Sequence, residues 1–249
     1  MEKVIHVQGL SVTIDDTNIL SDLSFSAFKG EVTVIIGGSG SGKTTLLRHL
    51  LGLNPIEQGY VFVLDRDISG LSEEEMQVMY HQMGVFYQDG ALMTSMTVGE
   101  NVAMPLIHQS NLPKALVNDV VMMKLGLVNL KDARDLYPSQ LSGGMLKRVA
   151  LARAIAMDPP LLFCDEPGAG LDPVSLKSLD HLILNLKDLL GISIVLITHE
   201  VSSIIRVADR IVFLDKGKVI FEGKLKEALS SEIQELRDFF SVLRSEHAK

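Results

Sequence analysis

The chain has 249 residues, enough for one domain with a sizeable core or one domain carrying an insertion. Of these, 47% are hydrophobic and 22% charged, a globular balance that excludes a disordered or collagen-like chain. The net charge of -8 argues against nucleic acid as a partner, since such surfaces are usually basic, and the single cysteine, Cys164, excludes an internal disulfide.

In chain order, Met1-Glu2-Lys3-Val4-Ile5-His6 lacks the apolar stretch of a secretion signal, and no apolar run reaches the roughly 18 residues that span a bilayer. The expectation is a protein that stays in the cytoplasm. Val4–Leu10 and Ser24–Phe28 alternate apolar with polar residues, as short strands do, with turn residues Asp15-Asp16-Thr17-Asn18 between them. Val32-Thr33-Val34-Ile35-Ile36 is a continuous β-branched run, the pattern of a strand buried on both faces of a parallel sheet. A glycine-rich stretch follows at once, then a helical pattern from Thr45 to Leu51 that stops at Gly52.

From about residue 95 to 157 the pattern is mostly helical, punctuated by Pro105, Pro113, Pro138 and Pro159, and reads as a helical insertion in an α/β core. Ten of the eleven methionines fall between Met76 and Met157, either as core filler or as an adaptable docking surface for a helix of another protein. Leu161–Cys164 and Ile194–Ile197 repeat the buried-strand pattern and end in Asp165-Glu166 and Thr198-His199, with Cys164 expected as a buried small apolar residue. Ligands of open α/β sheets sit off the carboxyl ends of strands, so these polar ends are expected in one crevice. A hairpin is expected over Ile211–Phe221, turning at Asp215–Lys218.

Gly37-Gly38-Ser39-Gly40-Ser41-Gly42-Lys43-Thr44 fits the pattern G-x-x-x-x-G-K-[ST], with a strand before it and a helix after it. Glycines let the backbone wrap a phosphate and point successive N–H groups at it, and the helix N-terminus adds about half a positive charge. Lys43 supplies a full charge to the β and γ phosphates, and Thr44 is the expected Mg²⁺ ligand, with Thr45 next to it at the helix start. Asp165 would hold Mg²⁺, and Glu166 would polarise the attacking water.

Leu141-Ser142-Gly143-Gly144-Met145, followed by Lys147-Arg148-Val149-Ala150-Leu151-Ala152-Arg153-Ala154, resembles the signature and helix of ABC transporter ATPases. Gln88 resembles that family's Q-loop glutamine, Gly170-Leu171-Asp172 its D-loop, and His199 its switch histidine. The resemblance implies a P-loop NTPase fold over 1–249. A RecA-like, mostly parallel core would carry N-terminal antiparallel strands, with a helical subdomain inserted at about 95–157. It further implies ATP and Mg²⁺, catalytic roles for Glu166, His199, Gln88 and Lys43, and metal ligation by Thr44, Gln88 and Asp165. Nucleotide contacts would come from Gly37–Thr45 and, across a head-to-tail pair of copies, from Ser142, Gly143, Gly144 and Asp172.

Two positions depart from the family pattern. Val12 and Ile14 stand where an adenine-stacking aromatic is usual, and Met145 stands where glutamine is commonest. Tyr87–Met93, Ser95–Val102 and Pro105-Leu106 resemble the Q-loop region of ATPases serving Mce-type lipid transporters, and Ile233–Phe240 their short amphipathic ending. That resemblance implies two copies of this chain, integral membrane permeases, a periplasmic Mce-domain lipid-binding protein and a small cytoplasmic regulatory subunit, assembled at the cytoplasmic face of the bacterial inner membrane. The permease's coupling helix would be received near Gln88 and Met93. The competing readings are an ABC ATPase for an amino acid or metal chelate, and a nucleotide-binding regulator that does not hydrolyse ATP.

Overall fold

The computed structural model of the chain describes residues 1–246. Its elements begin with β1 (Lys3–Ile14), β2 (Thr17–Phe28), β3 (Val32–Gly37), α1 (Lys43–Leu50), β4 (Gln58–Val63), β5 (Arg66–Asp67), α2 (Glu73–Tyr80) and β6 (Met83–Phe86). There follow α3 (Val98–Gln109), α4 (Lys114–Leu127), α5 (Gly143–Ala154), β7 (Leu161–Asp165), α6 (Pro173–Leu190) and β8 (Ser193–Ile197). The last are α7 (Val201–Val207), β9 (Arg210–Asp215), β10 (Lys218–Lys224), α8 (Leu225–Leu229) and α9 (Gln234–Glu246). The chain divides into two compact units, Met1–Gln77 with Val195–Lys249, and Val78–Ile194.

In the first unit an antiparallel sheet has the order β2-β1-β4-β5. Asp15 and Asp16 both take positive φ, 46° and 60°, the pairing that lets a two-residue turn match the right-handed twist of its strands. β1 and β2 therefore run closer to the turn than residue alternation alone indicates. All six residues of β3 are buried, and it lies parallel to β9 with Ile35 opposite Val212. Each apolar side chain so withdrawn from water contributes roughly 1.5–3 kcal/mol. The Asp209 carboxylate fixes the start of β3 by accepting from the Val32 amide at 2.8 Å. The expected hairpin is β9–β10, with Lys216 and Gly217 at positive φ in the turn.

The amphipathic ending packs on its own unit. Leu236 and Phe240 are buried, and Phe239 meets Phe213 of β9 edge-on at 5.6 Å.

In the second unit β6 and β7 pair in parallel, Phe86 opposite Cys164. Gly84 permits this: a Cβ there would lie 2.4 Å from the Ala154 carbonyl oxygen. α3 opens on a capping box in which Thr97 accepts from the Glu100 amide and Glu100 accepts from the Thr97 amide. Pro105 does not interrupt this helix, as its role as punctuation would require; α3 continues through it to Gln109. The helix loses the bond Pro105 cannot donate, and the burial of Val98, Val102, Ala103 and Leu106 offsets the loss.

α4 buries Lys124, whose ammonium pairs with Asp158. α6 starts at the Asp172 cap and ends on Gly191 in the left-handed conformation. Met76, Met79 and Met83 lie in the core, as core filler would, while Met93 and Met123 are about half exposed. Among the described residues no helix is long and apolar enough to cross a membrane.

Candidate active site

The glycine-rich loop joins β3 to α1 in the first unit, and its glycines have different physical reasons. At Gly37 a Cβ would sit 2.2 Å from the Leu214 carbonyl oxygen and 2.7 Å from the Ser41 hydroxyl. Gly42 caps α1 at φ 99°, where a Cβ would meet Leu20 Cδ2 at 2.6 Å. Gly40 is in open space but needs its φ of 73°.

The Lys43 ammonium lies within the loop, donating to the Gly37 and Gly38 carbonyls at 2.8 Å each and to the Ser41 hydroxyl at 3.3 Å. No acidic residue occupies the first turn of α1, whose N-terminus carries the positive end of the helix dipole. Thr44 is exposed beside this end. A looped backbone, one ammonium and a helix N-terminus together form a phosphate cradle.

His199 follows β8 in the same unit and lies 3.8 Å from the Glu200 carboxylate. Val12 and Ile14 line a small cavity of about 150 Å³ with His49 and Asn54. The His49 ring nitrogen Nδ1 is 2.7 Å from the Thr45 carbonyl oxygen.

The remaining candidates lie in the second unit. Asp165 ends β7 half-buried, and Glu166 after it takes a φ of 45°, a left-handed conformation that costs a side-chain-bearing residue roughly 1–2 kcal/mol. The turn is closed by the Ala169 amide donating to the Glu166 carbonyl at 3.1 Å. Cys164 beside them is buried, and burial, with the Asp165 charge second, pushes its thiol pKa up.

Asp172 caps α6, its carboxylate accepting from the Val174 and Ser175 amides at 3.0 Å. Hydrogen bonds from Ser175, first its side chain and then its amide, hold the Asp172 carboxyl below its ordinary value of 3.8. The cap therefore acts in full above that value and is lost as pH falls through the lower folded value. The difference in thermal midpoint between the wild type and Asp172→Ala is expected to be constant from pH 5 upward and to vanish on strong acidification. A scanning melt from about pH 7 to pH 2 measures it.

Ser142 caps α5, accepting from the Met145 amide, and puts Gly143 and Gly144 in the first turn. A Cβ on either glycine would meet nothing closer than 3.9 Å, so the fold of this chain does not require glycine there. Their neighbours are Leu171 and Ser175, which brings the signature segment beside the Asp172 cap. Met145, Arg148 and Leu171 share with Ser142 a cavity of about 420 Å³.

Gln88 is exposed on the loop after β6, and its carbonyl accepts from the Lys147 ammonium of α5. That ammonium also stands 5.7 Å from the centre of the Phe86 ring. Partial burial lowers the Lys147 pKa, and the Asp89 charge pulls against that shift. Arg153, farther along α5, donates to the Gly90 and Ala91 carbonyls at 2.6 and 2.7 Å. Asn101 of α3 is fully buried; its amide bonds the Met93 amide and the Met93, Met96 and Thr97 carbonyls. Sequence reasoning attached no role to these three residues. The available signals were an arginine among Ala150, Leu151 and Ala152, and an asparagine in an apolar helical turn.

Thr44 and Asp165 offer oxygen donors, the kind Mg²⁺ takes. Among the described residues no group of three or more His, Cys, Asp or Glu could hold a metal by itself. A cation held by either residue would therefore be completed by phosphate and water oxygens, as Mg²⁺ commonly is, and each donor fits that ion.

The chain matches the family model described as ABC transporter over residues 20–169. It belongs to the ABC transporter family and is an ATPase of that family. The intermembrane phospholipid transport system ATP-binding protein MlaF of Haemophilus influenzae is 39% identical over 231 residues, covering 93% of this chain and 88% of that protein. The methionine import ATP-binding protein MetN of Mannheimia succiniciproducens is 39% identical over 223 residues, covering 90% of this chain and 64% of that protein.

Among solved structures, cbiO1 from Clostridium perfringens, part of the ABC transporter complex cbiONQ, superposes with a TM-score of 0.87 at 26% identity over 100% of both chains. The ATP-binding cassette MJ0796, as a dimer in a post-hydrolysis state bound to ADP and Pi, superposes at 0.79 with 27% identity, over 89% of this chain and 98% of that one. These neighbours bear out the expected P-loop NTPase class.

Proposed function

We propose that this chain is the ATP-hydrolysing subunit of a phospholipid-moving ABC transporter, working as an ATP-bridged pair of copies against membrane permease subunits. The observation that carries the reading is identity of 36–39% to MlaF proteins across 93–95% of this chain. Gly37–Thr45 and Lys43 bind the ATP phosphates, and Thr44, Asp165 and Gln88 would hold Mg²⁺. Such an ion would supply charge neutralisation at the phosphates. Glu166 takes a proton from the attacking water and His199 orients the γ-phosphate end of the site. Ser142, Gly143 and Gly144 of each copy, with Asp172 nearby, complete the phosphate site of the other. ATP thereby holds the pair together, and hydrolysis loosens it. The permeases, a periplasmic Mce-domain protein and a small cytoplasmic regulator complete the assembly at the cytoplasmic face of the bacterial inner membrane.

The segment from Gly90 to Val102 favours the lipid substrate. The MetN relatives, at 38–39% identity, favour a second reading in which the same ATPase serves amino-acid import. Purification of the tagged full chain from detergent-solubilised membranes decides between them. Co-purification with an Mce-domain protein and bound phospholipid is expected. Recovery with an amino-acid permease would overturn the lipid substrate and leave the ATPase assignment standing.

A further inference from the structure

We propose that Lys147 is a positioning residue for Gln88, fixing where the glutamine side chain is presented by holding its main-chain carbonyl. The inference rests on the reading of Gln88 as a ligand of the nucleotide–metal site.

The loop between β6 and α3 is held from three places, and they are not equivalent. Its middle and far end are fastened by groups withdrawn from water: Arg153, 8% exposed, on the Gly90 and Ala91 carbonyls, and Asn101, 0% exposed, on the segment Met93–Thr97. Gln88 precedes both fasteners. Its carbonyl is taken by the Lys147 ammonium, while a turn bond from the Gly90 amide to the Tyr87 carbonyl at 2.7 Å closes the chain around it. Peptide planes are rigid, and the Tyr87 and Gln88 carbonyls belong to the two planes that flank the Gln88 Cα, so holding both fixes the direction in which its side chain leaves.

Lys147 is itself well held, because its stem lies on α5 and its ammonium stands over the Phe86 ring. It also sits five residues after the Ser142 cap, about 7.5 Å along the same rigid helix. A displacement of the signature end of α5 is thereby passed to the Gln88 carbonyl of the same chain.

The test uses the full chain with steady-state ATP hydrolysis, thermal melting and hydrogen exchange of the peptide around residues 86–92. Lys147→Ala is expected to lower kcat about tenfold, with KM for ATP changed less than about twofold and a melting midpoint like the wild type's. Exchange at Gln88–Gly90 should quicken. Lys147→Arg, which keeps a donor cation, should recover most of kcat. In a Gln88→Ala background, Lys147→Ala should add no further loss. Normal kcat in Lys147→Ala with a slowed Gln88→Ala overturns the positioning role alone, as does an additive double variant or a loss matched by a lower midpoint that Arg does not rescue. Normal turnover in Gln88→Ala overturns the reading of Gln88 and this proposal with it.

Discussion

Glu166→Gln is expected to lower ATP turnover by about 10²–10⁴-fold while leaving nucleotide binding in place. Gln matches Glu in shape but cannot accept the proton of the attacking water. Both residues pay the same left-handed backbone cost at φ 45°, so the variant should melt within about 0.5 kcal/mol of the wild type. Without hydrolysis the ATP-bridged pair cannot discharge, and size-exclusion in ATP should show a dimer absent without nucleotide. Turnover near the wild-type rate would remove Glu166 from the mechanism and shift attention to Asp165 or His199.

The glycines give a second, sharper contrast, because the structure assigns them opposite costs. Gly37→Ala places a Cβ 2.2 Å from a main-chain carbonyl of β9, so a buried strand must yield. A cost of about 2–3 kcal/mol and a Tm roughly 5–10 °C lower are expected, with activity lost alongside stability. Gly144→Ala meets nothing within 3.9 Å in its own chain, and a helical Ala restricts the unfolded state more than Gly does. The fold should gain about 0.4–1 kcal/mol. Turnover should nevertheless fall about a hundredfold, because the methyl stands where a phosphate must approach the amide. Differential scanning and phosphate release on the two variants check both halves. Full activity in Gly144→Ala would take the signature segment out of the phosphate site.

Much of the fold was legible because burial on both faces leaves a plain mark. Val32–Ile36, Leu161–Cys164 and Ile194–Ile197 are apolar runs without a polar side, and each is a strand within one residue of its expected bounds. The loop at Gly37–Thr44 was legible for another reason: cradling phosphate needs particular residues at fixed spacing. β6 was not seen, since Met83-Gly84-Val85-Phe86 is four residues long and depends on pairing with a strand some seventy-five residues away. α3 outran its punctuation because tertiary burial outweighed the bond lost at Pro105.

The fasteners of the Gln88 loop escaped notice for a deeper reason. Lys147, Arg153 and Asn101 bind main-chain groups, and every residue carries those, so the partner leaves no mark in the sequence.

That same indifference bears on which positions of the loop can vary. Replacing an exposed side chain such as that of Met93 leaves in place the carbonyls grasped by Lys147, Arg153 and Asn101. Gly90, at φ 72° with Ala150 3.2 Å from a Cβ, and Thr97, which caps α3, are not exchanged so freely. The outward face of the loop can thus change at positions such as Met93 while its scaffold stays the same.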